Sequence, residues 1–142
     1  MKKKALISAC LIGVNCKYSG GNNALPVEKL KELDEKYELI PVCPESFGGL
    51  PTPRVPSERV GDKVLAQDGR DVTAEFIKGA QEALRLAKKH GAFLAILKEN
   101  SPSCGSGTIY DGTFSGTLTE GYGVTAQLLK DNGITVIGET KI

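Results

Sequence analysis

The chain has 142 residues, the size of one ordinary domain, with 40% apolar and 25% charged residues. Eighteen basic against 17 acidic residues leave a net charge of +1, which offers no electrostatic footprint for duplex nucleic acid or a membrane surface. No apolar run approaches the roughly 18 residues of a membrane-spanning helix, and with no composition shift the chain reads as one unit over 1–142.

The opening MKKKALISAC has basic residues, an apolar stretch and then Ala-Cys, the outline of a secretory signal. Only Ala5 to Ala9 separate Lys4 from Cys10, short of the roughly 7–15 residues of a signal's apolar region. The expectation is a cytoplasmic protein with Lys2, Lys3 and Lys4 as a solvated tail. KALISAC (4–10) then reads as a buried strand, followed by the Gly/Asn-rich loop LIGVNCKYSGGNN. Pro26 opens PVEKLKELDEKY, where Val27, Leu30 and Leu33 have helical spacing. YELIPVC (37–43) is a second strand, with Pro41 placing it at an edge or marking its end.

The stretch 44–61, with four prolines and three glycines, is too irregular for a regular element, and loops of such length tend to be functional or disordered. DKVLAQDGRDVT predicts a small hairpin around Asp68-Gly69. A helix from Thr73 to about His90 carries Phe76, Ile77, Ala80, Leu84 and Ala87 on one side and stops at Gly91. His90 sits where a helix end favours cations, and no chemistry is expected of it. GAFLAILK (91–98) is a third strand, LKENSPSCGSG a loop, and TIYDGTFSGTLTEG a polar connection. GVTAQLLKDNG (123–133) is a helix and ITVIGE a fourth strand.

Strands alternating with helices predict an α/β fold: a small Rossmann-like parallel sheet of about four strands, with helices on both faces. Right-handed crossovers put the C-terminal end of every strand on one edge of such a sheet. Cys10, Cys43 and Cys104 follow strands one, two and three, so they should converge there, where open α/β sheets bind ligands. In a reducing compartment such thiols are metal ligands, catalytic or inert rather than paired. The absence of a Cys-x-x-Cys pair weakens a structural zinc site.

Three thiolates suit zinc, copper(I) or an iron–sulfur cluster, and three ligands rather than four leave one position open for chemistry. In a cluster, that open iron is a Lewis acid. Glu45, Ser101 and Ser103 flank the cysteines as proton carriers or water-orienting groups, and Gly105 and Gly107 admit a bulky ligand. The plainer readings are buried, inert thiols, Glu45 capping a turn, and Ser101 as a turn residue. Tyr18 either stacks on a ring or covers the loop. Arg54 either grips a phosphate or carbonyl, or tethers the loop through Glu58. Cys16 is near enough to compete as a ligand or to bridge to Cys10, and reads best as a bystander to the three.

SACLIG, KYSGG, VCPESFGGLPTPRVPSE, DVTAEF, LKENSPSCGSG and GYGVTAQLL together resemble the thiouracil desulfidase (TudS-like) family, from residue 6 to about 130. The resemblance implies a 4Fe–4S cluster held by Cys10, Cys43 and Cys104, with Glu45 and Ser101 in catalysis. Tyr18, Arg54, Ser103 and Gly105 are the candidate substrate contacts. The implied reaction takes sulfur from a thiolated uracil. Short members are similar to enzymes acting on 4-thiouridine or its monophosphate, so the expected partner is a small thiolated pyrimidine. Competing functions are a non-catalytic nucleotide- or metabolite-binding module and a metal- or sulfur-delivery protein.

Overall fold

A computed structural model describes residues 2–142. Its elements are β1 (Lys3–Ser8), α1 (Val27–Lys36), β2 (Tyr37–Val42), α2 (Pro44–Phe47), β3 (Ser57–Val60), β4 (Lys63–Ala66), α3 (Thr73–His90), β5 (Leu94–Leu97), β6 (Thr108–Tyr110), β7 (Leu118–Glu120), α4 (Val124–Asp131) and β8 (Thr135–Gly138). Four strands form the expected parallel sheet, in the order β2-β1-β5-β8. The Leu94–Leu97 strand is buried throughout, as befits a strand covered on both faces.

Alternation sorts the side chains of the sheet. Leu6, Ala95 and Leu97 pack with Ala87 of α3 and Ala126 and Leu129 of α4. Ala5, Ile7, Leu94 and Ile96 pack on the other side with Leu33 of α1 and with Cys10 and Leu11 of the 3-10 turn Ala9–Ile12. Helices therefore cover both faces. Pro41 falls on edge strand β2, where a missing N–H breaks no ladder on the outer side.

Some details differ from expectation. The irregular stretch 44–61 contains α2 and then β3, which pairs antiparallel with β4 across a turn at Gly61-Asp62. The return around Asp68-Gly69 forms on the second edge of β4, through a Leu65–Asp71 bridge with the Ala66 N–H donating to the Arg70 carbonyl and the Val72 N–H to that of Val64, while Val64, Ala66, Val72 and Phe76 bury a small cluster of their own. The polar connection holds a second hairpin, β6–β7. In α3, Phe76, Ala80 and Ala87 are buried as spaced and Leu84 is half-buried; Ala83, outside the expected set, is buried too, whereas Ile77 is exposed, since α3 turns only a narrow side to the core.

α2 is short, and its position comes from contact with α3. A Cβ on Gly79 would lie 1.8 Å from the Pro44 carbonyl oxygen, and one on Gly48 would lie 1.9 Å from that of Glu75. The two backbones touch, and this contact sets where Cys43 and Glu45 emerge. In an open helix position Gly→Ala adds about 1 kcal/mol of helix propensity. Here Gly79→Ala is expected to destabilise by about 1–3 kcal/mol, read from the midpoint of denaturant unfolding, because backbone cannot move aside as a side chain can.

Candidate active site

Cys10 lies in the 3-10 turn directly after β1, Cys43 between β2 and α2, and Cys104 in the turn after β5. All three line one cavity of about 470 Å³, together with Cys16. All four cysteines are free thiols.

The third arm shows how local chemistry sets the site. Asn100 adopts a left-handed backbone, φ 70°, which Asn tolerates better than most residues. The Ser101 hydroxyl oxygen then accepts the Ser103 and Cys104 N–H groups, each at 3.1 Å, and the Gly105 N–H reaches the Ser101 carbonyl at 2.9 Å. The loop in turn caps α4. The Val124 N–H donates to the Pro102 carbonyl and those of Thr125 and Ala126 to Ser103, so helix donors that would go unpaired are met. Gly123 permits this approach, for a Cβ there would fall 2.3 Å from the Ser103 carbonyl carbon.

Glu99 ties the same loop from its other end. Oε1 accepts N–H groups from Asn100, Ser106 and Thr108, and Oε2 accepts the Ser106 hydroxyl at 2.7 Å. Burial pushes this carboxyl up, but these hydrogen bonds outweigh it and hold Glu99 below the ordinary carboxylate range.

Glu45 enters the cavity wall from α2. Arg54 Nε donates to its Oε1 at 3.2 Å, with the Arg54 side chain 5% exposed and that of Glu45 18%. Burial raises the Glu45 carboxyl above its ordinary value more than Arg54 beside it lowers it. The rest of the guanidinium is largely committed. Nη1 donates to the Pro51 carbonyl and the Thr52 hydroxyl, and Nη2 to the Cys16 carbonyl, each at 3.0 Å.

Burial is also the main influence on the thiols. Cys104 is pushed up to about 12, with the Ser8 hydroxyl pulling it partly back. Cys10 is raised by burial and partly lowered by Asn23. Among the described residues no three His, Cys, Asp or Glu side chains surround a point closely enough for a single ion. A polynuclear cluster asks for something else, since each thiolate binds a different iron and the sulfurs stand apart. Soft, unpaired thiols from three strand ends on one cavity are the donor set for such a group, and the residues fit it.

The sequence pattern of the 2-thiouracil desulfurase family matches residues 5–141. The chain belongs to this family. Among similar proteins is one from Bacillus subtilis (strain 168), the uncharacterized protein YbbK, 44% identical over 147 residues that cover 96% of each chain. A solved structure, the [4Fe-4S]-dependent thiouracil desulfidase TudS, superimposes with a TM-score of 0.95 at 45% identity. It covers 99% of this chain and 93% of that one.

Of the residues expected in this desulfurase-family site, Cys10, Cys43, Cys104, Glu45, Ser101, Tyr18 and Arg54 line the cavity. Two of the expected residues lie off the cavity wall. Ser103 is fully buried, and its hydroxyl meets Thr125 at 3.0 Å, so it faces α4 rather than the cavity. Gly105 is absent from the cavity wall and lacks a side chain for packing reasons, since a Cβ would sit 2.6 Å from Ile109 Cγ2. Arg54 tethers its loop through Glu45, not Glu58, and with most of its donors spent it is not a free phosphate fork. Unforeseen on the wall are Ser8, Asn23, Glu58, Lys98, Tyr110 and Phe114. Lys98 adjoins strand β5 and was visible as a charge ending an apolar run; the others carry no local signal.

Removing Arg54 leaves a buried carboxylate and the Cys16 carbonyl without their donor. Arg54→Leu is expected to cost about 3–5 kcal/mol in urea unfolding, and Arg54→Lys to recover little, because one ammonium cannot reach the same spread of acceptors. For Glu99 the folded value is the depressed one. Its stabilisation is full above the unfolded value, about 4.3, and is lost as pH falls through the folded value. Thermal unfolding of Glu99→Gln between pH 6 and 3 is expected to fall less steeply with acid than that of the wild type.

Proposed function

We propose that this chain is a [4Fe–4S]-dependent desulfidase of thiolated uracil compounds, with 4-thiouridine or its monophosphate as substrate. The observation that carries the reading is the convergence of Cys10, Cys43 and Cys104 with Glu45 and Ser101 on one cavity, in a chain of this family. The desulfidase unit spans the 142 residues, and no helix among the described residues is long and apolar enough to cross a membrane. The cytoplasm is the compartment in which such thiols stay reduced.

Cys10, Cys43 and Cys104 would hold the cluster. With three protein ligands it would supply Lewis-acid chemistry at an open iron, suited to a thiocarbonyl sulfur. A cavity of about 470 Å³ falls within the usual range of about 300–1,000 Å³ for small-ligand sites. The Tyr18 ring, half exposed at the cavity wall, covers one side of the pyrimidine.

Glu45 takes a proton from water as the water oxygen bonds to the ring carbon. The added hydroxyl then loses its proton to solvent as the ring carbonyl re-forms, the carbon–sulfur bond breaks with its electron pair on sulfur, and Glu45 returns the first proton to give hydrosulfide. Carbon exchanges sulfur for oxygen at the same oxidation level, so no oxidant or reductant is consumed. Arg54 fixes the Glu45 carboxylate through Oε1 and leaves Oε2 for the water. The Ser101 oxygen is occupied as an acceptor by two N–H groups, so its own proton is free to donate to the water or to a ring carbonyl.

The test is anaerobic purification, reconstitution with iron and sulfide, and parallel measurement of 4-thiouridine absorbance and released sulfide. Loss of the thiocarbonyl band with matching sulfide is expected, abolished by Cys104→Ala. Glu45→Gln is expected to lower kcat about 10²–10⁴-fold with iron content retained. Full turnover by that variant would remove Glu45 as proton carrier, and a well-formed cluster without turnover on base, nucleoside or monophosphate would overturn the desulfidase reading.

A further inference from the structure

Phe114 is a bulky residue in the left-handed region, φ 57°, an outlier conformation for such a side chain. It belongs to none of the buried apolar clusters. It sits at the tip of the β6–β7 hairpin, half-buried in the wall of the cysteine cavity, which Tyr110 of the same hairpin also lines.

The strained tip is held deliberately. Glu58, only 8% exposed, turns one oxygen to the hairpin, and this Oε1 accepts the Gly112 N–H at 2.9 Å and the Phe114 N–H at 3.1 Å. Charge-assisted bonds of this kind are stronger than neutral ones. Gly112, φ 92°, lies so close to β3 that a Cβ would meet Val60 Cγ2 at 2.7 Å. A buried carboxylate and a close backbone contact thus maintain a conformation that core packing does not require. Backbone strain held in this way clusters at ligand clamps.

We infer that Phe114 is an apolar face on which the substrate's pyrimidine ring stacks, and that Glu58 is the positioning residue that keeps it on the cavity wall. The inference deepens the desulfidase reading and rests on it. An aromatic ring is the chemical complement of a flat base, and every pyrimidine offers a π-face to it.

The experiment uses the cluster-loaded full chain with 4-thiouridine as substrate, and equilibrium dialysis of uridine, the product, as a second readout. Phe114→Ala is expected to raise KM about ten- to a hundredfold, with kcat within about threefold and iron and sulfide content unchanged. Uridine binding weakens in parallel. Phe114→Leu keeps apolar bulk without a π-face, guards against misfolding of the alanine variant, and is expected to show the same direction of change. Glu58→Ala copies Phe114→Ala, while Glu58→Gln recovers most of the loss, because an amide oxygen accepts the same two N–H groups. Unchanged KM and uridine binding in both Phe114 variants, with an active wild type, would overturn the stacking role alone. A loaded wild type that neither turns over 4-thiouridine nor binds uridine would overturn the desulfidase reading and the stacking role together.

Discussion

All four strands of the central sheet point the same way, so the chain leaves β1, β2 and β5 at one edge. The crossover through α1 runs outward from β1 to β2, while the return through α3 to β5 lands on the other side of β1. That reversal opens a crevice above the middle of the sheet. Cys10, Cys43 and Cys104 are carried into the crevice by strands whose directions are already fixed by buried pairing. Three thiols separated by long stretches of chain meet because the sheet is parallel, and an antiparallel order would scatter them between two edges.

Regular structure ends at that edge, and carboxylates take over the work of ordering it. Glu45 is held by a guanidinium, Glu58 accepts two N–H groups of a hairpin tip, and Glu99 accepts three from the cysteine loop. Each acid lines the cavity, yet each is bonded differently. Glu58 spends one oxygen on the hairpin backbone and Glu99 both of its oxygens on the cysteine loop, and so they shape the wall. Glu45 is instead tied to another side chain, the Arg54 guanidinium, which sets its place on that wall. A buried carboxylate without such donors would be costly, so each of the three acids is met by at least one.

The sheet, α1, α3, α4 and the three converging cysteines were legible because apolar runs and helical spacing are local signals, and direction follows from alternation alone. The parts that were not legible depend on distant partners. Glu58 meets Gly112 and Phe114 across 54 and 56 positions, and nothing in SERV announces it. Ser103 and Ser101 look alike in SPSCG, but Thr125 of α4 draws the first away from the cavity while the second stays on its wall. Gly105 reads as room for a ligand until Ile109 is seen to occupy that space. Arg54 was recognised as important on its residue type. Its four bonds span acceptors from Cys16 to Thr52, and only the folded loop brings these together.

That guanidinium also explains why the Pro/Gly-rich segment between α2 and β3 is ordered without regular structure. Arg54 joins the loop of Cys16, the α2 acid and its own loop at one point, replacing a ladder of backbone bonds with a hub. Cys16 takes part through its main chain. Its carbonyl accepts Arg54 Nη2 at 3.0 Å and receives the Cys43 thiol at 3.8 Å, while its side chain is buried in the cluster on the α1 face. Both bonds survive replacement of the sulfur. The position of residue 16 therefore helps to place Cys43 whatever side chain it carries.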